Sequence, residues 1–496
     1  MGTPVARLAS EDFGPVAVVK PAYGRWLAGS IAGWGAFIAF LLALSWVFLA
    51  LTRLIIWIGD QLPWSWGLAP ALGTILSLIL ILVMITATLL TMADRKWSAL
   101  MQDRVGPNRA RLPIPGLSKM PLKGVPHIVA DVLKMLFKED FIPEGAVGNK
   151  FLFNLAPLLA FAPAFMLFAV VPVSPELTFW GARMQLQVAK VDWGILYVFA
   201  LASIAVFGTA LAGWTSNNKL ALLGGLRASA QLVSYEVTLG LTLVGAFIVF
   251  GTLRLDVMAT QQGMLEHALR SASTAAASAG DLLVHDDSLL FGWLPAWGGL
   301  FQPVGMILFL VAAQAEIKRA PFDTPEGDSE IIGYFLEYSG LKSGMFLIAE
   351  YVETVVISGI VAAIFLGAYH VPWLEPTILR VTDGWLGAGG LAWLAVFQVF
   401  SFLLKMLAVI WVMFVARWAF PRFRYDQIMR LGWKMMLPVS LANVAITAGV
   451  FLWGGREGLA WMGIAEWIAI LFFLALSARA PASAEPGSHS STAAVH

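Results

Sequence analysis

The chain contains no cysteine, and charged residues make up only 13% of its 496 positions. Without cysteine, the chain itself cannot form disulfides, bind iron–sulfur clusters through thiolates or use a cysteine nucleophile. Its six histidines do not pair at helical spacing inside an apolar run, so bis-histidine haem binding is not predicted either. We therefore predict no covalently bound cofactor and no metal site in this chain, and any redox centre would belong to another subunit. A formal net charge of +1 gives no reason to expect a nucleic-acid partner.

Apolar residues, in contrast, make up 59% of the chain, against about 45–50% in soluble domains. Several apolar runs exceed the roughly 18 residues that indicate a transmembrane helix. The sequence therefore predicts an all-α polytopic membrane protein that is embedded in the lipid bilayer. Candidate spans lie at 28–57, 68–93, 151–172, 193–214, 229–250, 297–316, 343–369, 388–418, 437–454 and 459–477.

The distribution of Lys and Arg between the connections predicts the orientation of these spans. The connection 94–150 carries ten bases and 416–436 carries five, whereas 173–192 and 370–387 carry one or two each. Basic connections are retained in the cytoplasm, and by alternation the acidic connection 316–342 falls on the same side. We therefore expect a multi-pass protein of a bacterial cell (inner) membrane. Met1–Tyr23 does not have the composition of a signal peptide.

Two connections and the tail have features of their own. In the connection 94–150, Ile128–Lys138 has an apolar face and a charged face, which is typical of a helix lying at the membrane surface. The tail Ala480–His496 is rich in Pro, Ser and Ala, which predicts disorder. The long connection 251–296 contains a low-complexity Ser- and Ala-rich stretch and no evident chemistry.

The first polar cluster, DRKWSALMQDRVGPNR at Asp94–Arg109, directly follows a span. Arg95, Gln102 and Arg104 offer hydrogen-bond donors beside a Gly106-Pro107 turn that ends any helix. The alternative interpretation is ordinary anchoring by positive charge at the membrane surface.

The second cluster lies in Leu222–Leu241. Arg227, Gln231 and Tyr235 follow each other at four-residue spacing and so share a helix face. Glu236 lies roughly two turns inside an apolar span, where an ionisable group is expensive and indicates function. A purely structural pair between Glu236 and Arg227 is the alternative.

The third cluster is the acidic connection AEIKRAPFDTPEGDSEIIGYFLEY, Ala315–Tyr338. Pro321 and Pro325 bracket Asp323 and prevent helix formation there, which favours a specified backbone over a plain solvated loop. The next span begins with Glu350 and Glu353 on one face. The connection contains two bases, Lys318 and Arg319, and six acids: Glu316, Asp323, Glu326, Asp328, Glu330 and Glu337.

The fourth cluster, PRFRYDQIMRLGWK at Pro421–Lys434, contains Arg422, Arg424 and Tyr425. These side chains are predicted to face the acidic connection across the same membrane surface, with membrane anchoring as the alternative.

In this order and between these spans, the four strings resemble the H subunit (also called subunit 1) of respiratory complex I, the NADH:quinone oxidoreductase. The resemblance covers roughly 68–454 and is carried by RxGPNR, GLRASAQxxSYE, AEIxRxPFDxPE, EYS, AEY and PRFRYDQxMxLxWK. It implies an eight-span core at 66–455, which would form the quinone chamber and the proton path. Residues 1–65 would then be an N-terminal extension with an extra transmembrane helix, and 456–496 an extra C-terminal helix with a disordered tail; both extra helices would be peripheral.

The resemblance also implies roles for individual residues. The membrane part of the quinone chamber would include Arg95, Gln102, Arg104, Phe322, Asp323, Glu326, Asp328, Glu330, Arg422, Arg424 and Tyr425. A path of protonatable groups toward the pumping subunits would include Asp94, Arg227, Tyr235, Glu236, Glu316 and Glu350. This chain would have no catalytic residue of its own.

The same resemblance implies the partners and cofactors of the respiratory electron-transport chain. A hydrophilic arm would carry FMN and the iron–sulfur clusters, antiporter-like membrane subunits would pump protons, and a quinone such as ubiquinone would be the substrate. Asp94 stands where the family usually has Glu, and His127 stands about where Gln is expected.

Two other classes of function remain open on sequence alone. The first is the equivalent subunit of a membrane-bound hydrogenase, or of a deazaflavin- or ferredoxin-fed oxidoreductase, whose core strings overlap with these. The second is a stand-alone cation/proton transporter, for which internal repeats would be expected; the sequence has no convincing repeat.

Overall fold

The protein is described by a computed structural model that covers residues 23–61, 69–104, 106–107, 126–179, 182–262, 295–325, 333–371 and 388–479. Almost all of these residues are helical, which confirms the all-α polytopic class. The helices are α1 Tyr23–Asp60, α2 (69–101, with a π-helical stretch at Leu76–Met84), α3 Pro126–Phe137, α4 Lys150–Leu167, α5 Gly194–Thr215, α6 Lys219–Phe250, α7 Leu255–Gln261, α8 Gly298–Phe301, α9 Pro303–Glu316, α10 Gly340–Phe365, α11 Ala388–Ala419 and α12 (425–479, π-helical at Leu431–Met436).

Eight helices within the described residues are long and apolar enough to cross a membrane, and α9 is a shorter apolar helix. A two-stranded antiparallel hairpin, β1 Glu176–Phe179 and β2 Ala182–Gln185, lies between α4 and α5. We call the end of the bundle at which α2, α9 and α11 finish the loop face, and the opposite end, with the hairpin and α7, the far face.

Two differences from the predicted spans have local causes. α6 begins ten residues earlier than the apolar run, because the polar Arg227–Gln231 stretch continues the helix, with Asn218 accepting the Leu220 N–H at its start. The predicted span 297–316 breaks at Gln302, ahead of Pro303. The last two predicted spans are two helical segments of α12, which meet at Gly455, where the backbone is not helical (φ 56°, ψ −151°).

The core is centred on α10. Every residue from Tyr351 to Phe365 is buried, so this helix is covered around its whole circumference by other elements, and its polar residues, such as Glu353, are buried with it. Close helix contacts elsewhere depend on glycine: a Cβ on Gly213 of α5 would lie 2.8 Å from the carbonyl of Ala221 on α6. Because α10 lies at the centre of the bundle, the polar groups of the loop face pack against it, as in the pairs of Lys318 with Glu353 and Arg319 with Glu350.

Candidate functional site

The centre of the site is the turn 317–325, which follows α9. The helix ends as Lys318 adopts a left-handed conformation (φ 60°), and the chain then runs through Phe322 and Asp323 without helical structure. Lys318, Arg319, Asp323 and Thr324 are all buried. Part of a connection that reads as a solvated acidic loop is therefore packed inside the protein.

Gln231 of α6 holds this turn in place. Its Nε2 donates to the carbonyl oxygens of Ala315 (2.7 Å) and Phe322 (2.8 Å), and its Oε1 accepts from the hydroxyl of Thr324 (2.6 Å). All of these groups are buried, so each bond also satisfies a polar group that water cannot reach.

The two neighbours of Gln231 on the same face contact the start of α12. Tyr235 donates its hydroxyl to the carbonyl of Ile428 (2.9 Å), and its ring packs beside Phe322. The Arg227 guanidinium lies over the ring of Tyr425, 5.6 Å from its centroid. The four-residue spacing predicted a common face, and the structure shows that this face joins the turn to α12.

Asp323 is paired with Arg422 across the loop face. The Arg422 guanidinium lies 3.0 Å from the Asp323 carboxylate, and the backbone N–H of Phe423 donates to the carbonyl of Pro321. The Asp323 side chain is only 4% exposed, whereas the Arg422 side chain is 46% exposed. The pair therefore links a buried carboxylate to a guanidinium that solvent can reach. Arg424, predicted to join this strip, pairs locally with Asp426, and both side chains are exposed.

A second ionic cluster surrounds Asp94 on α2. Its carboxylate lies 2.5 Å from Arg417 and 3.8 Å from Arg319, and it accepts the hydroxyl of Tyr351 (3.0 Å). Arg319 also lies 3.4 Å from Glu350 and stacks on the Tyr351 ring at 3.6 Å. Burial alone would lower the pKa of Arg319, but Tyr351 and the two carboxylates outweigh it and raise that pKa, so the charge is permanent.

Lys318 points to a different carboxylate from its neighbour. Its ammonium lies 3.8 Å from Glu353 of α10, and both side chains are buried. Burial would lower the pKa of Lys318, but Glu353, Tyr334, Glu350 and Glu316 together raise it. Lys318 is therefore a second fixed positive charge.

Three carboxylates line one cavity behind this turn. Glu236, Glu316 and Glu353, from three different helices, border about 800 Å³ of empty space, its open part included. Glu236 accepts the hydroxyl of Ser203 on α5. The Oε2 atom of Glu316 is buried without a hydrogen-bond partner among the described residues. A buried carboxylate with an unused oxygen is poised to gain a proton or a water molecule.

Except for Asp94, the predicted residues of the first cluster lie apart from this centre. Arg95 pairs with Asp131 of α3 (2.6 Å), while Gln102 and Arg104 are exposed just before the Gly106 turn (φ 70°). α3 presents an exposed apolar face formed by Val129, Val132, Leu133, Leu136 and Phe137. The predicted site residues Glu326, Asp328 and Glu330 lie outside the described residues.

Several residues of the network were not among the predicted site residues. They are Lys318, Arg319, Tyr351, Glu353, Arg417 and Ser203. For Glu353, the helical spacing from Glu350 was a usable signal, and for Arg417 it was a base at the end of an apolar run. Nothing in the sequence indicated Ser203.

No group of three or more His, Asp or Glu side chains within the described ranges is placed to hold a metal ion. Fold and site together define a polytopic helical membrane protein in which ion pairs lead from one face to a cavity lined by carboxylates. The chain matches the NADH dehydrogenase family over residues 73–448. It belongs to the H-subunit family of complex I, the NADH-quinone oxidoreductase.

Relatives that the chain covers almost completely support this assignment. The chain is 38% identical over 379 residues to the NADH-quinone oxidoreductase H subunit 1 of Geobacter metallireducens, covering 76% of this chain and 95% of that protein. It is 36% identical over 397 residues to the H subunit 2 of Syntrophobacter fumaroxidans, covering 80% and 100%. For the H subunit of Bdellovibrio bacteriovorus the identity is 39% over 390 residues, covering 75% and 94%.

Proposed function

We propose that this chain is the membrane subunit of a proton-translocating NADH:quinone oxidoreductase. In that role it forms the membrane part of the quinone chamber and the carboxylate path that couples quinone reduction to proton pumping. The observation that carries the proposal is the position of Lys318 and Arg319. They follow each other in the turn beside Asp323 and pair with the buried acids Glu353 and Glu350.

The quinone would bind beside the turn, where Phe322, Asp323 and Arg422 meet Tyr425 and Arg227. Its entrance would lie near Arg95, Gln102 and Arg104, next to the exposed apolar face of α3, which suits a hydrophobic substrate arriving from the bilayer. Electrons would come from FMN through an iron–sulfur cluster in the partner hydrophilic arm.

Reduction of a quinone to a quinol consumes two electrons and two protons and creates negative charge beside the turn. Because Lys318 and Arg319 keep their charge, they respond by moving rather than by losing a proton. Any movement changes the field at Glu350 and Glu353, and coupled carboxylates then redistribute their protons as a group. A series of acids inside the membrane can pass this redistribution of protons on to antiporter-like partner subunits.

The Lys- and Arg-rich connections support a position of this chamber on the cytoplasmic side of a bacterial inner membrane. α1 and the second half of α12, which lie outside residues 73–448, would then be peripheral helices that contact lipid or other subunits.

Purification of the tagged chain from its native membrane in mild detergent, followed by mass spectrometry and activity assay, tests the proposal. We expect co-purification of an NADH- and flavin-binding module with quinone-reductase activity. A nickel–iron catalytic subunit instead would indicate a hydrogenase, and a chain that purifies alone would contradict the proposal.

A further inference from the structure

The cavity behind the turn is polar at one end only. Of the described side chains that line it, the charged or polar ones are Glu236, Glu316, Glu353 and Lys318. All others are apolar, and they continue as far as Ile195 and Leu255 at the far face. The cavity therefore runs through much of the bundle, and its lining changes from charged side chains near the turn to apolar side chains toward the far face.

The change occurs at the same depth on three helices. Leu243 follows Glu236 by seven residues on α6, Ile360 follows Glu353 by seven on α10, and Phe309 precedes Glu316 by seven on α9. α9 runs opposite to α6 and α10, so all three displacements point toward the far face. Seven residues are about two helical turns, so each apolar side chain lies on the same face as its acid and about 10 Å further along.

These three side chains form what we call the apolar layer: Leu243, Phe309 and Ile360. Each lines the cavity and is almost completely buried. They belong to the main hydrophobic core, in which Phe309 also packs against Phe365. The three side chains of the layer are therefore held by core packing and are not surface side chains.

Beyond the layer, at the far face, Arg254 lies 3.2 Å from Asp192 and 2.8 Å from Asp256. The acids on the two sides of the layer are thus separated by a stretch in which no described side chain offers a hydrogen bond to water in the cavity.

Apolar cavities stay dry, and apolar constrictions close a pore by excluding water. We infer that the apolar layer is the barrier that separates the carboxylates Glu236, Glu316 and Glu353 from the far face, so that protons held by them leave sideways through partner subunits and do not leak back. The inference rests on the proposed function, since it assumes that these acids exchange protons.

The test replaces Leu243 with a polar residue of similar size in the whole assembled complex. Leu243→Asn would admit water to the layer, and Leu404→Asn serves as the control, because Leu404 lies midway along α11 and is partly exposed on the outside of the chain. The complexes are reconstituted into closed vesicles. An imposed pH gradient then gives the passive proton leak, and NADH oxidation gives the proton-to-electron ratio.

We expect Leu243→Asn to raise the leak several-fold and lower the proton-to-electron ratio, while uncoupled quinone reduction continues and Leu404→Asn behaves as wild type. If Leu243→Asn does not assemble, Ile360→Thr, which keeps the branched shape, replaces it with Ile360→Val as its control. An assembled and active polar variant with unchanged leak and unchanged ratio would overturn the barrier. That result is distinct from failure of the proposed function, in which the wild-type chain would purify without an NADH-oxidising, quinone-reducing complex.

Discussion

The side-chain amide of Gln231 donates a hydrogen bond to the carbonyl oxygen of Phe322 over 2.8 Å, which ties α6 to the turn 317–325. Since the same amide also bonds Ala315 and Thr324, one side chain fixes both ends of the segment that precedes Pro325.

Gln231→Leu should loosen this turn without unfolding the bundle. The change leaves the buried carbonyl of Phe322 and the hydroxyl of Thr324 unsatisfied, at about 1–3 kcal/mol for each group, while the Ala315 carbonyl keeps the backbone N–H of Lys318. We expect faster hydrogen–deuterium exchange in 317–325 and lower quinone-reductase activity in a complex that still assembles. Thr324→Val, which removes only one of the bonds, should show a smaller effect. Unchanged exchange in Gln231→Leu would contradict this role.

Asp323→Ala should lower quinone reduction by about tenfold or more, which corresponds to a loss of roughly 1.4 kcal/mol in transition-state stabilisation. The reason is that Asp323 is the buried partner of Arg422 beside the proposed quinone position. Asp426→Ala is the matched control, because Asp426 forms an exposed pair with Arg424 on the same face. Normal quinone reduction in fully assembled Asp323→Ala membranes would disprove the prediction.

Glu236→Gln should impair proton pumping more than quinone reduction. Glutamine keeps the size and the hydrogen bond with Ser203 but cannot release or take up a proton. The proton-to-electron ratio measured in closed vesicles is the readout, and Glu139→Gln at an exposed position is the control. An unchanged ratio together with unchanged turnover would refute the role of Glu236.

Asp94→Asn should reduce the stability of the complex, because it leaves Arg319 and Arg417 buried or partly buried around a neutral group. Breaking a buried ion pair in this way costs about 3–5 kcal/mol, whereas an exposed pair contributes about 0–1 kcal/mol. Thermal unfolding should therefore respond strongly to Asp94→Asn, weakly to Asp131→Asn, and little to Asp94→Glu, which restores the charge. Equal melting temperatures for all three variants would exclude a structural role for the Asp94 charge.

The second half of α12 should contribute to stability rather than to quinone reduction. Glu466 accepts the backbone N–H of Val304 at the start of α9 (3.2 Å), and Trp467 donates to the carbonyl of Gly299 (3.0 Å). Loss of such a helix cap costs about 0.5–2 kcal/mol. Glu466→Ala with Trp467→Phe should lower the melting temperature while activity remains, and Trp453→Phe at a 94% exposed position should change neither. A loss of activity at full stability would assign this helix another role.

Much of the fold follows from the sequence, because long apolar runs have few alternatives in a bilayer. Hydropathy places the start of α6 too late, since Lys219 and Arg227 lower the hydropathy of residues that are nonetheless helical. It also passes over the break at Gln302, because Pro303 is acceptable at the first position of a helix and does not by itself indicate an interruption.

The sequence indicates which residues belong to the candidate site, because their types are unusual in apolar spans, but it does not indicate which of them pair with each other. The acids Glu236, Glu316 and Glu350 stand out because charge is rare in apolar spans. That Lys318 pairs with Glu353 while Arg319 pairs with Glu350 depends on how the turn packs against α10, and the spacing along the chain does not encode it. The oxygen of Thr324 and the backbone carbonyls bonded by Gln231 leave no sequence signal at all.

Lys318 and Arg319 are joined by one peptide unit, yet their charges end in separate clusters, one at the Glu353 side of the cavity and the other between Glu350 and Asp94. Because one peptide unit holds their Cα atoms about 3.8 Å apart, a backbone shift of the turn moves both residues. A displacement of the turn at Asp323 would therefore reach the cavity and the Asp94 cluster through a single segment of chain.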